Sequence, residues 1–363
     1  MEKLTIREIK TTPVMVPFKR PPVARIGGAE SWLFILIDVY TEEGMVGNAY
    51  LEPYAPFAHR NIIPAIEDLS PFLCGSQIAP MNQFNLIAPM VQRVVGSGIL
   101  RIAISGVDMA LWDALAKAAG VPLAVLLGSS VAPVPAYNSN GLWLIPPDRL
   151  ADEAQELLAE GDFSGLKVRA GRTTLKEDLE ALGKVRDSVG PDVDLMVDFN
   201  QAMRYGEALQ RCRAMDDMGF YWLEEPVFHD DFHSCARLRE KLRTPIQIGE
   251  NFYGPRDVYN AIRQEACDYI MPDMMRIGGV TGWLQSAPVA AAAGIQISSH
   301  LYPEVSAHVL RASETAHLLE WQDWANPILE EPWKVEGGHL HMPERPGIGI
   351  SWDLDAVAKY RIA

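Results

Sequence analysis

Three acidic residues close three apolar runs that follow one another along the chain: Asp198 ends Leu195-Met196-Val197, Glu224 ends Tyr221-Trp222-Leu223, and Glu250 ends Gln247-Ile248-Gly249. An acid at one strand end ordinarily caps the helix that follows. Three at matched positions, brought to a shared mouth, repel one another unless a hard cation sits among them, and oxygen-only ligation favours Mg²⁺ over zinc. Glu225, next to Glu224, points to the other side of its strand and is read as structural. Lys167 and Arg169 in Gly165-Leu166-Lys167-Val168-Arg169 are two apart, so on a strand both project to one face and carry positive charge inward. Asp273 closes Ile270-Met271-Pro272 and His300 follows Ile297-Ser298-Ser299, placing a carboxylate where it can orient an imidazole as a general base. Glu320, on the last apolar run, faces the same mouth and suits proton donation to a developing enolate oxygen if its pKa is raised. His229 and His233 are read as ordinary loop residues.

The elements that must position these groups are eight short apolar runs separated by helix-like stretches: Val134 to Ser139, Gly165 to Arg169, Asp194 to Asp198, Phe220 to Glu224, Ile246 to Glu250, Tyr269 to Asp273, Ile295 to Ser299 and His317 to Trp321. Eight such units predict an α/β fold of the (β/α) TIM-type barrel class, with catalytic groups at the C-terminal strand ends. A doubly wound open sheet is the competitor, but no GxGxxG follows a first strand. Before the barrel, Leu4 to Pro17 and Trp32 to Tyr50 read as strands, the second pair joined at Thr41-Glu42-Glu43-Gly44, and helices are expected over Asn61 to Leu69, Met81 to Val94 and Leu100 to Ala119. The expected domains are an α+β capping domain over 1–130, the barrel over 131–327, and a C-terminal segment over 328–363 that completes the cap.

The balance of 32 Lys plus Arg against 47 Asp plus Glu leaves a net charge of −15, which repels nucleic acid and anionic membranes. A small molecule is the expected partner. Cys74, Cys212, Cys235 and Cys267 are too scattered for a disulfide framework or zinc site. The charged start Met1-Glu2-Lys3 and the absence of a long apolar run predict a cytoplasmic protein without a membrane span.

Met196-Val197-Asp198-Phe199-Asn200-Gln201, Trp222-Leu223-Glu224-Glu225-Pro226, Gly249-Glu250-Asn251, Met271-Pro272-Asp273, Ile277-Gly278-Gly279-Val280-Thr281-Gly282-Trp283 and Ser298-Ser299-His300 occur in order along the chain. This series resembles the mandelate racemase subgroup of the enolase superfamily, from end to end. The resemblance implies a cap over a modified barrel and one Mg²⁺ per subunit on Asp198, Glu224 and Glu250. It implies His300 with Asp273 as a base, Lys167 as electrophile on the substrate carboxylate, Glu320 on its other oxygen, and Asn200 beside the metal. A homo-oligomer is also implied. Substrate-binding residues are expected in the cap loops, with Tyr54, Pro56 and Phe57 forming an apolar pocket and Arg25 and Glu52 adding charge.

The pattern is broken at one position, where Lys-x-Lys of mandelate racemase is Lys167-x-Arg169 here. A guanidinium is a poor general base at neutral pH. The expected activity is removal of the α-proton of a 2-hydroxy carboxylate, by a racemase of mandelate-like acids. The alternative is an acid-sugar dehydratase with His300 as sole base, and a further alternative is a carboxylate-binding protein without turnover.

Overall fold

The computed structural model describes residues 3–25, 27–93 and 97–363. Strand Ile6–Pro17 pairs antiparallel with Ser31–Thr41, which pairs in turn with Val46–Leu51. Helices His59–Leu73, Pro80–Gln92 and Ile99–Ala118 complete this N-terminal unit. Helix Ile99–Ala118 is buried nearly all round because the cap sheet lies on one side of it and helix Gly279–Ala292 on the other. Gly47 and Gly106 permit that approach: a Cβ at Gly47 would strike the Ala110 carbonyl and Ala114, and one at Gly106 would strike Ile37 and Leu51. The second expected helix ends at Gln92, and Val94 lies outside the described residues.

The eight barrel strands are Val134–Asn138, Gly165–Arg169, Asp194–Asp198, Trp222–Glu224, Ile246–Ile248, Tyr269–Ile270, Gln296–Ile297 and Leu319–Trp321. Neighbours pair in parallel along this order, and the eighth pairs with the first. Backbone hydrogen bonds Ile297 N to Thr315 O (2.9 Å) and Ser299 N to Leu318 O (3.0 Å) join the seventh to the eighth and close the ring. Tyr137, Met196 and Trp222 fill the interior below the polar strand ends. A barrel of this kind is a packed core whose usable surface is its C-terminal mouth.

Several strands stop short of the residues expected to end them. After Ile248 the chain turns at Gly249 (φ 130°), and after Ile270 it turns so that Asp273 can cap the short helix Met274–Ile277. A two-stranded hairpin, Val23–Ala24 with Gly27–Gly28, had no signal in the sequence pattern. Beyond residue 328 the chain returns to both units. His339–Leu340 pairs with Val134 and Pro135, Arg361 bridges Val14, and Trp352 Nε1 donates to Asp38 Oδ1 (2.8 Å). Among the described residues no helix is long and apolar enough to cross a membrane.

Candidate active site

Polar side chains at the ends of seven barrel strands converge under a cavity of about 300 Å³. Lys167, Arg169, Asp198, Glu250 and His300 line it, while Glu224, Asp273 and Glu320 lie fully buried just behind them. Residues that follow strand ends carry left-handed backbone: Leu142, Asn200, Gln201, Glu225, Leu301 and Tyr302 have φ between 38° and 59°. Such conformations are unfavourable for side chains with a Cβ and persist where surrounding packing over-determines them, as functional sites commonly do.

Lys167 Nζ lies 2.7 Å from Glu224 Oε1, 2.6 Å from Glu320 Oε1 and 3.7 Å from Asp198 Oδ2. Burial works against its charge, but these carboxylates more than offset that and keep it an ammonium. Asn200 donates to both Asp198 oxygens, through its backbone N–H (2.8 Å) and Nδ2 (2.9 Å). Trp222 Nε1 donates to Glu224 Oε2 (3.0 Å). Asn251 Nδ2 donates to Glu250 (3.0 Å) and to Glu225 (3.0 Å), so the buried Glu225 holds the side chain that steadies Glu250.

His300 Nδ1 meets Asp273 Oδ2 at 2.8 Å, and its Nε2 faces Glu250 Oε2 at 3.2 Å. Asp273 also accepts from Met275 N (2.8 Å) and Arg276 N (3.1 Å) through Oδ1. The helix-capping role of a strand-end acid and the imidazole-orienting role are thus combined, one oxygen each. Burial lowers the His300 pKa, but Glu250, Glu320 and the Asp273 hydrogen bond raise it to about 9 overall.

Glu320 departs from the expectation of a raised pKa. Burial pushes it up, but Lys167 at 2.6 Å and His300 hold it well below the usual carboxylate range. Ser139 Oγ (2.7 Å) and Leu301 N (3.0 Å) donate to it as well. In this arrangement Glu320 is an acceptor on both oxygens, from Lys167 and Ser139 on Oε1 and from Leu301 on Oε2. Glu224 shifts the other way, raised by burial and by Asp198, Glu320 and Glu250 against the pull of Lys167.

That imbalance bears on a cation. Asp198, Glu224, Glu250, Asp273 and Glu320 crowd one mouth, and Lys167 alone cannot neutralise both Glu224 and Glu320. Among the described residues no three carboxylates are drawn into a coordination shell. The donors nevertheless suit a hard divalent ion: all are oxygens, and the surplus charge needs one.

Arg169 is fastened. Its Nη1 donates to the carbonyls of Ser139 (3.0 Å) and Gly141 (2.9 Å), its Nη2 donates to Ser139 Oγ (2.7 Å), and its guanidinium stacks on Trp143 at 3.9 Å. Of the cap residues expected to bind substrate, Tyr54 lines the cavity. Glu52 is buried and accepts from Trp32 Nε1 (3.1 Å). Arg25 sits on the hairpin whose Ala24, Gly27 and Gly28 line the cavity, but its own side chain pairs with Glu207 (3.4 Å) on helix Tyr205–Met215. Phe57 is 63% exposed, and neither it nor Pro56 is among the residues that line the cavity. Sequence reasoning missed Trp32, Trp143, Arg276 and Trp324. Trp143 and Trp324 follow the first and eighth strands closely, which is the one signal that could have pointed to them.

Residues 6–128 match the mandelate racemase / muconate lactonizing enzyme N-terminal domain family, and residues 149–356 match the enolase C-terminal domain-like family. The chain belongs to the mandelate racemase/muconate lactonizing enzyme family of the enolase superfamily. A crystal structure of an enolase from alpha proteobacterium BAL199 with bound magnesium superposes with a TM-score of 0.97 at 51% identity, covering 99% of this chain and 100% of that one. An enolase from Bradyrhizobium, complexed with magnesium and mandelic acid, gives 0.96 at 38% identity with both chains fully covered. The L-talarate/galactarate dehydratase of Salmonella typhimurium is 34% identical over 255 residues, which span 70% of this chain and 64% of that protein. Relatives in this family include dehydratases, racemases and epimerases, and this member is an enzyme of the isomerase or hydro-lyase kind.

Proposed function

We propose that this mandelate racemase family member is a Mg²⁺-dependent, one-base lyase that takes the α-proton of a 2-hydroxy carboxylate and expels a β-hydroxyl as water. The cofactor is Mg²⁺, with Asp198, Glu224 and Glu250 as its holders, and when bound it supplies positive charge to the substrate carboxylate. His300 in its neutral form takes the α-proton on Nε2 while Asp273 keeps Nδ1 protonated and the ring fixed. Lys167 presents an ammonium to the carboxylate as it gains negative charge, and Glu320 holds Lys167 in place. The imidazolium then returns its proton to the β-hydroxyl, which leaves as water. The resulting enol tautomerises to a 2-keto acid, so no oxidant or reductant is needed.

The observation that carries this reading is the fastening of Arg169. A guanidinium held by two carbonyls and a hydroxyl, with an indole against its face, is poorly suited to shuttle a proton at the opposite face of the substrate. His300 is then the sole base. The test is 2-keto acid formation from 2,3-dihydroxy acids with Mg²⁺ in D₂O, read with a carbonyl reagent. Keto acid carrying one deuterium at C3 supports the reading. α-Exchange without keto acid from any diol points instead to racemisation, the second reading, which the mandelic acid bound in the Bradyrhizobium relative favours.

A further inference from the structure

The cavity has two unlike halves. Its floor carries the charged groups Lys167, Asp198, Glu250 and His300. Its walls carry four aromatic rings, Trp32 from the second cap strand, Tyr54 from the loop after the third, Trp143 after the first barrel strand and Trp324 after the eighth, beside the small residues Pro22, Ala24, Gly27 and Gly28 of the hairpin. Trp32 lies 5.3 Å from Tyr54 and 5.1 Å from Trp324, and Trp143 lies 6.4 Å from Trp324, all between ring centroids. Four rings from four separated segments thus enclose one space above the reacting groups.

Each amide that shares the cavity has one of its two ends engaged. Asn200 donates to Asp198, Asn251 to Glu225 and Glu250, and Gln322 to Ser139, while Gln201 accepts from His229 N. The Tyr54 hydroxyl accepts from Arg276 (3.4 Å), and Gln322 Oε1, Trp143 Nε1 and Arg169 Nε are buried cavity atoms without a partner among the described residues. A chain of hydroxyls would lose water there and gain few partners. An apolar ring would lose nothing polar and meet the indoles edge or face on. Guanidinium groups already occupy Trp143 (3.9 Å) and Tyr54 (4.5 Å), so the box suits a neutral group rather than a cation.

We infer that the substrate is a 2,3-dihydroxy acid bearing a neutral, apolar, ring-sized group on C3, so that the enzyme makes 3-aryl- or 3-alkyl-substituted 2-keto acids rather than keto-deoxy sugars. This rests on the one-base elimination proposed above. For a phenyl substituent, the C2–H bond breaks to His300, the C3–O bond breaks as water leaves, and the enol of phenylpyruvate forms and tautomerises. About 300 Å³ holds a carboxylate head and one ring.

The wild-type enzyme with Mg²⁺ is to be assayed against the diastereomers of 3-phenyl-2,3-dihydroxypropanoate and against galactarate, gluconate and both mandelate enantiomers. Keto acid formation and α-exchange in D₂O are followed together. The expected result is a kcat/KM for the phenyl diol at least ~100-fold above that for either acid sugar. Trp324→Ala should raise KM for the phenyl diol ~10-fold or more with a smaller change in kcat, and Trp324→Phe should restore most of it. Preference for galactarate or gluconate would overturn the substituent while leaving the elimination standing. Exchange of mandelate without keto acid from any diol would overturn the elimination while leaving the apolar preference standing. Where neither diol nor sugar turns over, the thermal shift of the Mg²⁺-loaded enzyme decides. Stabilisation by the phenyl diol and not by galactarate supports the inference, and the reverse, or neither, overturns it.

Discussion

Arg169 separates two chemistries with a single side chain. A lysine at this position would be a flexible amine able to gain and lose a proton, whereas the guanidinium spans the Ser139 and Gly141 carbonyls and the Ser139 hydroxyl. Arg169→Lys should therefore lower turnover of the native substrate by ~10-fold or more, because an ammonium cannot serve all those acceptors. The same change should introduce α-exchange of the enantiomer that the wild type leaves untouched, readable by NMR in D₂O. The replacement of lysine by arginine was legible in the sequence. Its consequence was not, because Ser139, Gly141 and Trp143 come from a loop whose path no periodicity reports. Glu320 makes a similar point: its place on the last strand was readable, but the sign of its pKa shift depends on Lys167 Nζ at 2.6 Å.

At the scale of elements, the strands that carry Asp198 and Glu224 end where alternation and length placed them, whereas those leading to Glu250, Asp273 and His300 end earlier. The difference is physical: those later residues have left the ladder to turn, to cap a helix or to bridge, and such uses of an acid or a glycine do not change the apolar pattern that precedes them. The Gly278-Gly279-Val280-Thr281-Gly282 segment is a further example. It reads as a family motif, yet its Thr281 is gripped by Asp108 of the cap helix, through the backbone N–H (2.8 Å) and Oγ1 (2.5 Å), and by Trp112 Nε1 (2.9 Å). The motif clasps cap to barrel. Burial raises Asp108 from 3.8 to about 7, more than the Thr281 hydrogen bonds lower it. Between those values the folded protein keeps a proton that the unfolded chain releases, so the stability gained from it is full below about 4 and is lost as the pH rises through 7. Thermal unfolding of wild type and Asp108→Asn from pH 4 to 8 should show a gap, in favour of wild type, that narrows by several degrees toward pH 8.

For the whole molecule, the barrel and cap classes were legible because eight alternating units and an antiparallel opening are long-range patterns with few physical solutions. The aromatic box was not, since residues 32, 54, 143 and 324 meet only after both units have folded. A net charge of −15 with five carboxylates at one mouth makes the fold itself sensitive to a divalent ion. Mg²⁺ at millimolar concentration should raise the unfolding temperature by several degrees over protein stripped with EDTA, and Glu250→Gln should remove most of that increment. An unchanged increment in Glu250→Gln would place the ion elsewhere.

The central claim is that a single base, His300, serves the reacting carbon. The most direct test is α-proton exchange measured separately on the two enantiomers at C2 of a reactive 2-hydroxy acid, with the wild-type enzyme and Mg²⁺ in D₂O. Exchange of one enantiomer only, abolished in His300→Asn, is the predicted result; exchange of both at comparable rates would contradict it and would make Arg169 a working base.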